Sequence, residues 1–197
     1  MAPDSSPLAL AKGRIRRQMR RSRVAAGPAG AQAAETAAGH LPPSLVQAAR
    51  TVAGYHPQGG EIDPAPLLRR FAAAGAQLAL PVAVAPDTPL EFRAWSEGDA
   101  LEPDVFGIPS PTADRRQVQP DLILAPVLAF DRRGGRVGQG VGCFDRTLQQ
   151  ARASGPVRVI GLAFACQEVE RAPTAAHDQA LDAILTESGY IEAEKDI

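Results

Sequence analysis

The chain has 197 residues, 45% of them hydrophobic and 22% charged, which is the size and make-up of one globular domain able to bury its own core. Thirty-seven alanines against nine aromatics call for a closely packed core of small side chains and exclude a disordered, collagen-like or disulfide-stapled chain. The net charge of -1 conceals a split, because residues 1–23 hold seven basic side chains and one acid (+6) and the rest of the chain stands at -7.

Leu8 to Val24 reads as an amphipathic helix, with Leu8, Ile15 and Met19 near one face, arginines around the rest, and Gly27-Pro28 as its end. Alanine-rich residues 29–39 and residues 44–50 suggest two more helices separated by the Pro42-Pro43 break, and Thr51 to Tyr55 is a first short strand. A loop from His56 to Gly60 leads to Asp63-Pro64, a cap and helix-opening proline, and to a helix that stops at Gly75. Gln77 to Val84 and Leu90 to Trp95 are strands, and Ser96 to Pro120, polar and proline-rich, is a long surface excursion. Asp121 to Ala125 and Val157 to Phe164 are apolar strands of the fully buried kind, with a glycine-rich loop and the helix-like TLQQARA between them. This alternation predicts a single α/β domain, a Rossmann-like three-layer arrangement with a mostly parallel central sheet, helices on both faces and ligands at the carboxyl ends of the strands.

The segment richest in chemistry is Asp131 to Arg146, DRRGGRVGQGVGCFDR, between a buried strand and a helix. Gly134, Gly135, Gly138, Gly140 and Gly142 allow backbone N–H groups to turn toward one anion, and the helix that follows adds its positive end. The alternative is a structural hairpin. Neither the Walker spacing nor the dinucleotide fingerprint is present. Arg136 would add a charge-assisted contact, and Asp145 stands where it would cap the helix or hold a divalent ion. Only two lysines exist, Lys12 and Lys195, and Lys195 stands two residues from the end. Lys12 is therefore the lysine available to a nucleotide phosphate, with Arg16 four residues on along the same helix face; the alternative is a solvated basic face.

Glu61 follows a glycine pair at the end of the first strand, either as a ligand group or as a surface carboxylate, and His177-Asp178 reads equally as a site carboxylate or a helix cap. His40 and His56 lack metal-ligand spacing, and Cys143 has no base nearby in sequence, which favours a packed thiol. Cys143 and Cys166 allow one bridge at most and suit free thiols in the cytoplasm. No run reaches about 18 apolar residues and no signal-peptide core follows the basic start, so no membrane association is expected. An arginine-rich start also suits an organelle transit peptide, but structured sequence follows closely and the segment reads as mature protein. The basic run lacks interleaved aromatics and the remainder is acidic, so no nucleic-acid partner is expected.

Several of these segments stand in the order of one family's motifs. Lys12-Gly13-Arg14-Ile15-Arg16 fits K-x-x-[LI]-R, and Glu61-Ile62-Asp63-Pro64 fits E-[IV]-[DE]-[PT]. The buried strand runs into F-D-x-x-G-x-R-[LV]-G-x-G-x-G with Phe130, Asp131, Arg136, Gly138, Gly140 and Gly142 in place; Gln167-Glu168, Pro173 to Asp178 and Leu185-Thr186-Glu187 follow. Across almost its whole length the chain resembles the 5-formyltetrahydrofolate cyclo-ligases, also called methenyltetrahydrofolate synthetases.

The resemblance implies an ATP- and Mg2+-dependent ring closure of 5-formyltetrahydrofolate to 5,10-methenyltetrahydrofolate by a monomer, with release of ADP and phosphate. The formyl oxygen attacks the γ-phosphate, N10 attacks the resulting iminium phosphate, and phosphate leaves. It implies Lys12 and Arg136 as catalytic residues, and Lys12, Arg16, Arg136, Val137, Gly138, Gln139, Gly140, Val141, Gly142, Cys143 and Phe144 around ATP. His56, Glu61, Gln139, Gly140, Val141, Gly142 and Cys143 would bind the folate, and Asp145 and Asp178 the magnesium. The chain departs from the family at Val141, where glycine or a basic residue is common, and at Cys143-Phe144, where two aromatics are usual. At Cys143 a stacking face worth about 1–3 kcal/mol is lost if that position contacts the pterin, and the alternative function is a non-catalytic folate-binding relative of the same fold.

Overall fold

A computed structural model describes residues 6–26 and 29–194; Asp4, the Gly27-Pro28 helix end and Lys195 lie outside them. Helices α1 (Pro7–Ala26), α2 (Gly30–His40) and α3 (Pro43–Ala48) precede strand β1 (Thr51–Ala53) and helix α4 (Ala65–Ala73). Strands β2 (Gln77–Val82), β3 (Glu91–Ala94), β4 (Leu101–Pro103), β5 (Pro109–Pro111), β6 (Leu122–Pro126), β7 (Ala129–Phe130) and β8 (Arg136–Val137) lead to helix α5 (Cys143–Ser154). Strand β9 (Arg158–Leu162), a 3-10 turn (Ala165–Gln167), β10 (Ala183–Thr186) and β11 (Gly189–Glu192) complete the order.

Seven strands form one sheet in the order β11-β10-β9-β6-β1-β2-β3, with β10, β9, β6, β1 and β2 parallel and the two edge strands antiparallel. Successive residues of the central strands feed opposite cores. Leu122 and Leu124 pack with α2, α3 and α4, whereas Ile123 and Ala125 pack with Phe130 and with Leu148 of α5. The expected three-layer α/β architecture is therefore observed. Gly54, just beyond β1, lets α4 approach closely, since a Cβ there would stand 2.6 Å from Leu68 Cδ1. Asp63 receives a hydrogen bond from the Ala65 amide at 2.9 Å, which fixes the entry to α4 one residue later than the sequence suggests.

The surface excursion of residues 96–120 holds a hairpin that the sequence did not announce, β4 paired with β5, its turn gathered by the Asp104 carboxylate, an acceptor from the Phe106, Ile108 and Ala83 amides. Helix α5 begins at Cys143, so Asp145 lies within its first turn and does not cap it. Strands β10 and β11 were not anticipated, although AILT is a fully buried run and Gly189 opens the returning strand. No described helix is long and apolar enough to cross a membrane.

Candidate active site

Strand β1 has β2 and then β3 on one side, whereas the chain returns to β1's other side with β6 and continues outward through β9 and β10. The switch of direction between β1 and β6 leaves a crevice at their carboxyl ends, the place where open α/β sheets bind ligands. A cavity of about 730 Å³ occupies this position, bordered by Tyr55 and His56 after β1, Pro81 and Ala83 at the end of β2, and Pro126 to Leu128 at the end of β6. Leu90 and, from the β4–β5 hairpin, Phe106 and Ile108 form an apolar wall.

Helix α1 closes one side of it. Ile15 and Met19 pack on Leu128, Ala129 and Val137, so the face carrying Lys12, Arg16, Arg20 and Arg23 is turned toward the cavity, with Arg14 and Arg17 exposed. Lys12 Nζ lies 2.5 Å from Asp178 Oδ2, Arg16 Nε donates to the Gly138 carbonyl at 2.8 Å, and Arg20 Nη2 donates to Gln139 Oε1 at 3.0 Å. Burial and the neighbouring Arg20 lower the Arg16 pKa from its ordinary value, with Asp178 opposing. Burial pushes the Asp178 carboxyl up, but hydrogen bonds from Lys12 and the Ala175 amide outweigh it and hold the group below the usual aspartate value.

The glycine-rich segment proves to be two structures. Gly134 and Gly135 belong to the turn of the β7–β8 hairpin, where Asp131 Oδ1 accepts from the Arg133 and Gly135 amides and Oδ2 from Ala172, each at 2.8 to 2.9 Å. The remaining glycines, 138, 140 and 142, carry the chain past Arg16 to the amino end of α5. Gly140 takes a left-handed conformation (φ +110°) that strains any other residue, and a Cβ there would also crowd Arg16 Cζ at 3.1 Å. Arg136 is buried, donates to Asp145 Oδ1 at 2.6 Å and to the Gln179 carbonyl at 3.1 Å, and has its pKa lowered by burial against the opposing pull of Asp145 and Asp178.

On the opposite wall, Glu61 Oε2 accepts from the Gln58 amide at 3.0 Å, and Glu61 Oε1 lies 3.3 Å from Gln139 Nε2 and 3.5 Å from Arg23 Nη1. Tyr55, buried beside it, donates to the Ile62 carbonyl at 2.6 Å; burial and the Glu61 charge raise its pKa well above the ordinary value. His56 Nδ1 lies 3.2 Å from Gln58 Nε2.

The residues that the family resemblance implies for ATP, folate and magnesium border this one cavity, Lys12, Arg16, His56, Glu61, the run from Arg136 to Asp145, and Asp178, whereas Gly134 and Gly135 do not. Sequence reasoning gave Arg20 and Arg23 no definite place in the site; Arg23 is 3% exposed, and its helical spacing from Lys12 and Arg16 was the available signal. It also missed the wall from the β4–β5 hairpin, which no pattern announced. Among the described residues no three His, Cys, Asp or Glu side chains gather into an all-protein metal centre. Asp145 and Asp178, however, flank the cavity, with Oδ1 of the first and Oδ2 of the second engaged by cations. Magnesium commonly takes one or two carboxylates and completes its shell with phosphate oxygens and water, so this pair fits an ion that arrives with a nucleotide.

A profile of the 5-formyltetrahydrofolate cyclo-ligase family matches residues 9–187. The 5-formyltetrahydrofolate cyclo-ligase of Escherichia coli K12 is 36% identical over 146 residues, covering 71% of this chain and 79% of the relative. That of Mycolicibacterium smegmatis is 34% identical over 145 residues, covering 70% and 73%. Among solved structures, the 5,10-methenyltetrahydrofolate synthetase of Aquifex aeolicus superposes with a TM-score of 0.79 at 26% identity over 94% of each chain. The corresponding protein of Mycoplasma pneumoniae shares the fold, with a TM-score of 0.67 at 20% identity.

Proposed function

The chain belongs to the 5-formyltetrahydrofolate cyclo-ligase family and is an enzyme of that kind, and from this premise we propose that it closes 5-formyltetrahydrofolate to 5,10-methenyltetrahydrofolate at the expense of ATP, in the cavity at the carboxyl ends of β1, β2 and β6. The observation that carries this reading is the convergence of the motif residues, from positions as far apart as 12 and 178, on one cavity of about 730 Å³, which is within the usual range for small-molecule sites.

An amide oxygen is a poor leaving group until it is phosphorylated, so the site must hold the formyl oxygen in line with the γ-phosphate and neutralise the transferred charge. Lys12, at the cavity edge, supplies a mobile point charge; Arg16, fixed to the Gly138 carbonyl, supplies a second beside the glycine segment. Arg136 is held by Asp145 and the Gln179 carbonyl, so its charge stands at a set position under the same segment. Val137 to Phe144 wrap the nucleotide through backbone N–H groups and the positive end of α5. Magnesium bound by Asp145, Asp178 and phosphate oxygens would neutralise charge on the triphosphate.

Glu61, in contact with Gln139, offers carboxylate oxygens to the N–H donors of the pterin, and His56 borders the same region. Gln139 to Cys143 would contact both substrates, which brings N10 toward the activated carbon as phosphate departs. The apolar wall of Leu90, Phe106 and Ile108 excludes water, which would otherwise hydrolyse the phosphorylated intermediate. The test is to mix the protein with 5-formyltetrahydrofolate, ATP and magnesium and to follow the near-UV absorbance of the methenyl product. Stoichiometric ADP and product support the proposal; folate binding without turnover would indicate a folate-holding protein.

A further inference from the structure

Arg23 and Glu61 form a pair that cost alone would not select. Their side chains are 4% and 8% exposed, and removing two charges from water is repaid only by close geometry and satisfied hydrogen bonds. Here the ion-pair distance is 3.5 Å and Arg23 Nε is buried without a partner. The short bond of the guanidinium goes elsewhere, from Nη2 to the Gly59 carbonyl at 2.7 Å, with the Gln58 carbonyl at 3.5 Å from the same nitrogen. Gly59 takes a left-handed conformation (φ +54°), and even a Cβ there would press on Nη2 at 3.2 Å. Arg23 therefore grips the segment from Gln58 to Glu61 by its backbone while lending its charge to the carboxylate at a distance.

We propose that Arg23 is a positioning residue for substrate recognition, fixing the Glu61 carboxylate as an immobile acceptor for the amino-pyrimidinone edge of the folate. The inference rests on the folate contact of Glu61 proposed above. Among the described residues Arg23 alone lies within ion-pair distance of the Glu61 carboxylate, and its hold on the Gly59 carbonyl ties that carboxylate to the loop from Gln58. The Arg23 and Gln139 contacts to Oε1, at 3.5 and 3.3 Å, are long and can give way to an incoming N–H donor, while Oε2, which accepts from the Gln58 amide, keeps a further lone pair for a second. A lysine would supply the charge but, as a single ammonium, would not hold the Gly59 carbonyl and the carboxylate together.

The experiment is steady-state kinetics on Arg23→Met, Arg23→Lys, Glu61→Gln and the Arg23→Met/Glu61→Gln double variant, with thermal unfolding recorded for each. Arg23→Met should raise the KM for 5-formyltetrahydrofolate about tenfold and leave the KM for ATP within about twofold, as expected for a lost charged partner on one side of the site. Arg23→Lys should give an intermediate rise of about threefold, and it carries the test if the methionine variant does not fold. In the Glu61→Gln background, Arg23→Met should add less than about twofold, because the group it positions is gone. Equal rises in both KM values, or an undiminished effect in the Glu61→Gln background, would overturn the proposal. If Glu61→Gln raises the folate KM while Arg23→Met is silent, the positioning role alone fails; if Glu61→Gln is itself silent, the folate assignment of Glu61 fails and this inference with it.

Discussion

The two ends of the cavity handle charge differently. Where the nucleotide phosphates are proposed to lie, the cations are already met at short range, Lys12 by Asp178 at 2.5 Å and Arg136 by Asp145 at 2.6 Å. Where the pterin is proposed to lie, Arg23 and Glu61 stand 3.5 Å apart and the guanidinium spends its best bond on a backbone carbonyl. The first end holds Lys12 and Arg136 against carboxylates until a polyanion competes for them; the second holds a buried carboxylate whose contacts to Arg23 and Gln139 are long enough to give way to hydrogen-bond donors. One end is thus built to exchange partners and the other to keep a fixed shape.

The widest separation between the ends should come from Lys12→Ala. Without the point charge, kcat/KM for ATP should fall about a hundredfold, the scale of a lost transition-state charge contact, while folate affinity measured by titration stays within about threefold. A parallel loss of both would erase the distinction. Gly134→Ala should instead strike both ends together. At φ +83° its Cβ would stand 2.4 Å from the Leu181 carbonyl, and the hairpin that carries Arg136 would shift, lowering stability by about 1–3 kcal/mol in denaturant unfolding. Cys143→Tyr tests the pterin end. If position 143 faces the ring, folate Kd should tighten about fivefold to tenfold with the ATP KM unmoved, and an unchanged Kd would show that the missing aromatic is immaterial.

The smallest effect concerns acid. The Asp178 pKa is depressed below its ordinary 3.8, so its stabilising contribution is fully present above that pH and is lost as pH falls through the lower folded-state value. Thermal unfolding should therefore show no contribution from Asp178 to any change between about pH 5 and 8, and Asp178→Asn should lower stability by a constant amount across that range, the difference from the parent protein closing as pH falls below it.

Much of the fold was legible because buried parallel strands are nearly continuous apolar runs punctuated by Gly and Pro, as in Leu122 to Ala125 and Val159 to Leu162. The short β10–β11 hairpin escaped because its four-residue AILT strand is brief enough to pass for a helix remnant or a loop. In the site, glycine density drew attention to a segment that borders the cavity but left a phosphate loop and a hairpin as alternatives, and could not tell that two of the five glycines serve a hairpin turn and three do not, since that division depends on where Asp131 gathers amides in space. Arg23 was missed for a simpler reason: the helical spacing that joined Lys12 to Arg16 was not carried on to the end of α1, where a buried charge stands.

The contact between Lys12 and Asp178 spans 166 positions, and it has a consequence for a chain still being made. A ribosome releases α1 before Asp178, so the helix waits through 166 positions of synthesis before the partner of its lysine appears. A chain ended before residue 178 carries strands β1 to β9 yet lacks that wall of the cavity. The nucleotide turnover proposed above is therefore expected only after residue 178 has emerged, which would keep shorter products from consuming nucleotide.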